Sequence, residues 1–160
     1  MPKINSSLPK LRSAQVTQLE LFFGLKKLPA TYRRWILAHN GGSATPAFFD
    51  WKHPKKGKRT QELYRLLGFD TSPMDVKSRP LDIVSATLRY RDYLPPSSIV
   101  IGMAEPSDVL TIQIGGKSDG QVSLIDWDDA VPGSPKVKFV HPIAKSFRDF
   151  LDSLRHHDEH

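Results

Sequence analysis

Cysteine is absent from the sequence, which rules out a disulfide framework and a thiolate nucleophile and fits a reducing compartment. Long apolar runs are absent as well. No stretch approaches the roughly 18 residues that a membrane span requires, and the opening "MPKINSSLPK" has no apolar segment followed by a small-residue cleavage site. A cytoplasmic protein with no membrane partner is therefore the expectation. Catalytic signatures are equally scarce. The serines include no G-x-S-x-G elbow, and "NGGSA" follows a predicted helix where an elbow would follow a strand. The "GKS" inside "IGGKSDG" imitates a phosphate loop, but Thr111 stands where that motif's first glycine belongs. The segment also joins two predicted strands instead of opening a helix, so a hairpin turn is expected there.

What the chain does have suits one cooperative core. Of its 160 residues 39% are apolar and 25% charged, with the apolar positions spread throughout. A single domain over 1–160 is expected, with a core from about 13 to 154 and flexible ends at 1–12 and 155–160. The net charge of +6 is unevenly placed: residues 1–80 carry 15 Lys and Arg against 5 Asp and Glu, and residues 81–160 carry 8 against 12. Opposite charge on the two halves can orient a charged protein as readily as it can hold nucleic acid.

Periodicity sets out the elements. "SAQVTQLELFFG" reads as a first helix with Ser13 as N-cap, Val16, Leu19, Phe22 and Phe23 on one side, and Gly24 as its terminator. "LPATYRRWILAHNGG" reads as a second helix with Pro29 at its first position, Tyr32, Trp35, Ile36 and His39 in one stripe, and Asn40, Gly41 and Gly42 ending it. Ala47–Trp51 reads as a strand, "RTQELYRLLGF" as a helical turn or two, "TSPMDVKSRP" as a linker, and Pro80 to about Tyr90 as a helix stopped near Pro95 and Pro96. The period then changes to two. "IVIGM", "VLTIQI" and "QVSLIDW" predict a three-stranded antiparallel meander, to which "KVKFV" adds a fourth strand. His141 and Pro142 introduce a last helix with Ile143, Phe147, Phe150, Leu151 and Leu154 on one face. The expected fold class is α+β: a central antiparallel sheet with helices packed on one side, N- and C-terminal helices flanking the strand meander.

Two charged surfaces are the candidate binding sites. Glu105, Asp108, Asp126, Asp128 and Asp129, with Asp119 on a neighbouring turn, form a candidate acidic patch at one end of the meander. Nothing in "DWDDA" sets a buried acid beside an exposed one, so acid/base catalysis is not expected of it, and its spacing is not that of an EF-hand. The rival surface is the basic loop 52–59, with Lys52, Lys55, Lys56, Lys58 and Arg59. That loop is a fair footprint for phosphates, but no zinc-finger, homeodomain or RNP pattern accompanies it, so nucleic acid is not the expected partner. Of the six histidines only His156, His157 and His160 cluster, in a polar tail expected to fray; His39 is expected to be a hydrogen-bonded residue of the fold. No metal site, cofactor or catalytic residue is nominated.

In order along the chain, "LPATYRRWILAHNGG", "LPPSSIVIGMAEPSDVLTIQIGG", "DGQVSLIDWDD" and "IAKSFRDFLDSL" resemble the segments of the SMI1/KNR4 family of the SUKH superfamily, from about Val16 to Leu154. The resemblance implies a SUKH-like fold in which Tyr32, Trp35 and Ile36 face the core. It also implies a bacterial cytoplasmic immunity protein, not an enzyme, that neutralises a cognate toxin, a nuclease or other effector, by non-catalytic occlusion. Immunity partners of cationic nucleases are usually acidic, and this chain departs from that pattern by being basic. The alternative the resemblance carries is an intracellular regulatory protein-interaction module. A nucleic-acid-binding protein using the basic loop is the third reading. The expected partner is a toxin or effector domain, met by a monomer or weak homodimer.

Overall fold

A computed structural model describes residues 1–6, 8–24, 27–72, 82–130 and 139–158. The first helix, α1 (Ser13–Phe22), begins at its expected cap, one residue earlier than the sequence predicts. Arg12 precedes it, and the Gln15 side chain accepts from the Arg12 N–H at 2.8 Å, so Ser13 lies inside the first turn. Val16 and Leu19 are buried, while Phe22, expected on the same face, is 54% exposed. The second helix, α2 (Ala30–His39), starts just after Pro29 and buries Tyr32, Trp35 and Ile36. Two of these pack edge-on against Phe147, with ring centroids 4.9 Å away for Tyr32 and 5.1 Å for Trp35.

Asn40 ends α2 in the left-handed conformation, with φ 44°. Its buried side chain donates to Pro9 O (2.7 Å) and Phe69 O (3.2 Å) and accepts from Phe69 N (2.7 Å). The chain passes so close that a Cβ on Gly68 would lie 2.4 Å from Asn40 O, and one on Gly42 would lie 2.2 Å from Asn5 O. Asn5 belongs to β1 (Lys3–Asn5), which pairs antiparallel with β2 (Ser43–Thr45). A stretch expected to be a loose end is thus hydrogen-bonded into a two-stranded sheet.

A second sheet has six strands, all antiparallel and in sequence order: β3 (Phe48–His53), β4 (Gly57–Leu66), β5 (Ser98–Ala104), β6 (Asp108–Gln113), β7 (Val122–Ile125) and β8 (Val140–Ala144). Between β4 and β5 lie α3 (Ile83–Tyr90) and a 3-10 turn (Arg91–Tyr93), and α4 (Phe147–Asp152) follows β8. Asp82 caps α3 by accepting from Ser85 N at 3.0 Å, and Thr87 Oγ1 accepts from Val100 N at 3.0 Å, tying α3 to β5. Consecutive buried residues in β5, β6 and β7 require cover on both faces of those strands. This is the expected α+β class.

Two expectations are corrected by the sheet. "RTQELYRLLGF" is not helical: most of it is β4, paired with β3 from Phe48↔Glu62 to His53↔Gly57 and with β5 at Leu63↔Ala104 and Leu66↔Gly102. The helix-like spacing of Leu63 and Leu66 has another cause. A register shift between Leu63 and Arg65 lets both leucines be buried, with Tyr64 left 57% exposed. Second, His141, Pro142 and Ile143 belong to β8, and α4 starts only after Ser146, whose side chain accepts from Asp149 N at 3.1 Å. Pro142 is tolerated because β8 is an edge strand. The expected helix start at Pro80 and Leu81, residues 73–80 of the linker, and 136–138 of "KVKFV" lie outside the described residues.

The sheet curls. Its edge strands β3 and β8 are not ladder partners, yet they come together at one point, where the Trp51 and His141 rings lie 5.0 Å apart and the His53 and His141 rings 5.3 Å. The outer edge of β3 is closed at Phe48 by two hydrogen bonds with Arg155, at 3.0 and 2.8 Å. Among the described residues no helix is long and apolar enough to cross a membrane.

Candidate functional site

The 126–129 turn is built by its own carboxylates. Asp126 Oδ1 accepts from Asp128 N at 3.0 Å, and Asp126 O accepts from Asp129 N at 3.2 Å. Asp108, at the start of β6, bridges to that turn: its Oδ1 accepts from Trp127 N (3.2 Å) and its Oδ2 from Gln61 Nε2 (2.8 Å). Burial pushes the Asp108 carboxyl above its ordinary pKa, partly offset by those two hydrogen bonds. Asp108 and Asp126 are both buried, at 8% and 6% exposure, so of the expected acidic patch only Glu105 and Asp128 face solvent freely, with Asp129 half-buried. Asp119 is not part of it. It sits in the β6–β7 turn at the far end of the strands, accepting from Gly115 N at 2.6 Å. That turn is the "GKS" segment, a hairpin loop as expected, with Gly115 and Gly116 at φ 75° and 73°.

The basic segment divides. Lys55 and Lys56 occupy the β3–β4 turn and are exposed; Lys52 is exposed on β3. Lys58 pairs with Asp50 at 3.1 Å, and Arg155 binds the same carboxylate at 2.9 Å. The Arg155 guanidinium, helped by Thr60, holds Asp50 well below the usual carboxylate range. Arg59, exposed on β4, borders an open groove of about 430 Å³ with Trp51, Glu62, Glu105, Asp108, Asp126 and Asp128, and the Lys56 charge acts on Asp129. The two surfaces read as rivals in the sequence are therefore neighbours in space.

Behind the groove lies a buried polar seam that the sequence did not disclose. His53 is 4% exposed and His141 5%. Curling of the sheet brings them together, and no sequence spacing records it. His53 Nδ1 accepts from Lys55 N and Lys56 N, both at 3.0 Å, which places the ring proton of neutral His53 on Nε2, 2.5 Å from Asp129 Oδ2. That hydrogen bond is the main reason Asp129 is held below its ordinary pKa; burial opposes it. His141 Nε2 lies 3.8 Å from Asp129 Oδ2 and has no hydrogen-bond partner among the described residues. Burial, then the neighbouring His53, lowers the His141 pKa. Of the other histidines, His39 is half-buried beside Trp35 and His156 and His157 are exposed; His160 lies outside the described residues.

The structure is an α+β domain whose antiparallel sheet carries an open, predominantly acidic groove at its strand ends. The sequence profile of the SMI1 / KNR4 family (SUKH-1) matches residues 10–153, and the chain belongs to that family. No curated protein matches its sequence significantly. Membership of the family points to a role in protein–protein interaction.

Proposed function

We propose that the protein is an immunity protein that binds a cognate toxin or effector domain and blocks it by occlusion, with no chemistry of its own. The observation that carries this reading is the groove at the strand ends, lined by exposed Glu62, Glu105, Asp128 and Arg59 together with Trp51. Carboxylates gathered around an aromatic ring and one arginine favour a protein surface over a polyanion, because Glu62, Glu105 and Asp128 repel phosphates. The basic total charge does not stand against it, since the groove is locally acidic, with Glu62, Glu105, Asp108, Asp126 and Asp128 beside the single Arg59 among the described residues. Occlusion by a patch of standard size needs no buried nucleophile.

The test is co-expression with the product of a neighbouring open reading frame that carries a secretion or polymorphic-repeat architecture. The expected outcome is co-purification of the two chains and rescue of growth. Rescue without complex formation, or a complex that leaves the toxin active, contradicts the proposal; retention on nucleic acid that falls steeply with salt supports the basic-loop reading instead.

A further inference from the structure

The polar seam between β3 and β8 has the composition and size of a metal site. One donor atom from each of His53, Asp126, Asp129 and His141 lies within 4.8 Å of the others, the Asp126 Oδ2 to His53 Nε2 distance being 4.0 Å. Ligand atoms arranged tetrahedrally at Zn–N and Zn–O distances of about 2.0–2.2 Å stand about 3.3 Å apart, so the 3.8 Å between His141 Nε2 and Asp129 Oδ2 needs to close by only about half an ångström. An acidic cluster alone is no site. What distinguishes this one is His141 Nε2, a ring nitrogen on a residue 5% exposed that lies 3.8 Å from the Asp129 carboxylate and forms no hydrogen bond among the described residues. A buried imidazole nitrogen left without a partner costs stability unless something occupies it.

We propose that this seam binds one first-row divalent cation, with His141 Nε2 and the Asp126 and Asp129 carboxylates as ligands. His53 is the positioning residue. Its Nδ1 is occupied by two backbone N–H donors, so Nε2 carries a proton and orients Asp129 instead of ligating. Asp126 is similarly held through Oδ1 by the Asp128 N–H, which leaves Oδ2 for the cation. Mixed imidazole and carboxylate donors suit Zn²⁺, Co²⁺ or Mn²⁺ over Ca²⁺. The groove borders the seam, since Asp126 and Trp51 line it and the Trp51 ring lies tilted 5.0 Å from that of His141.

Titration of the full chain with Zn²⁺ followed by calorimetry, and with Co²⁺ followed by visible absorption and tryptophan fluorescence, tests this independently of any toxin assay. One equivalent is expected. His141→Gln is expected to weaken binding by about 100-fold or more and to change the Co²⁺ spectrum, whereas His53→Gln weakens it about 10- to 100-fold with the spectrum retained. Asp129→Asn repeats the first result if His141→Gln does not fold. A chain carrying His156→Ala, His157→Ala and His160→Ala is expected to bind like wild type. No saturable binding by wild type, or binding lost in the tail variant and kept in His141→Gln, overturns the proposal.

Discussion

The junction around Asn40 and the seam around His141 are both buried polar regions at places where distant segments meet, and they are finished differently. At Asn40 the side-chain oxygen and nitrogen are both satisfied, by Pro9 and Phe69, and glycines at 42 and 68 let the backbones touch. Nothing there is left to bind. At the seam, His141 Nε2 has no hydrogen bond among the described residues and Asp129 is half-exposed, beside a groove where Glu105, Asp128 and Arg59 face solvent. A fold holds itself together where polar groups are used up and meets other molecules where they are not.

Substitutions can break this contrast. The largest loss is expected from Asn40→Ala, which leaves Phe69 N and two carbonyls without partners and puts alanine in a left-handed conformation. About 3 kcal/mol or more should disappear from urea unfolding. Asp50→Asn comes next, at about 1 kcal/mol near neutral pH, because Asp50 and Arg155 are each about one-third exposed at 31% and 32%. Its sign with pH is fixed by the lowered pKa of folded Asp50. The stabilisation is complete above the unfolded carboxylate value of about 3.9 and is lost as pH falls through the folded value. Denaturation curves of wild type and Asp50→Asn should therefore keep a constant gap from pH 7 to about 4 and converge only in stronger acid. Lys58→Ala, removing a cation 73% exposed, should cost less than about 0.5 kcal/mol. A larger loss would show that the Asp50 cluster depends on Lys58 as much as on Arg155.

Legibility in the sequence follows the range of the signal. The second helix was readable because its stripe of Tyr32, Trp35 and Ile36 and its Asn40 terminator are local. β4 was not, since Gln61, Glu62, Leu63 and Arg65 are good helix formers and the bulge at Tyr64 gives the leucines a helical interval; pairing with two neighbouring strands overrides that preference. β8 was hidden by Pro142, which reads as a breaker but sits on an edge. Glu105 and Asp128 were legible as exposed turn residues. Asp108 and Asp126 were legible as acids but not as buried braces of the turn, and the meeting of His53 with His141 depends on curvature that no spacing records.

The claim that the groove grips a protein partner is tested most directly by the double reversal Glu105→Lys and Asp128→Lys, measured for affinity to the co-purified toxin across a salt series. Both residues are exposed, so the unfolding free energy should stay within about 0.5 kcal/mol of wild type. The account predicts a slower association at low salt, a weakened complex and loss of growth protection in this folded variant. Affinity and protection equal to wild type would contradict it.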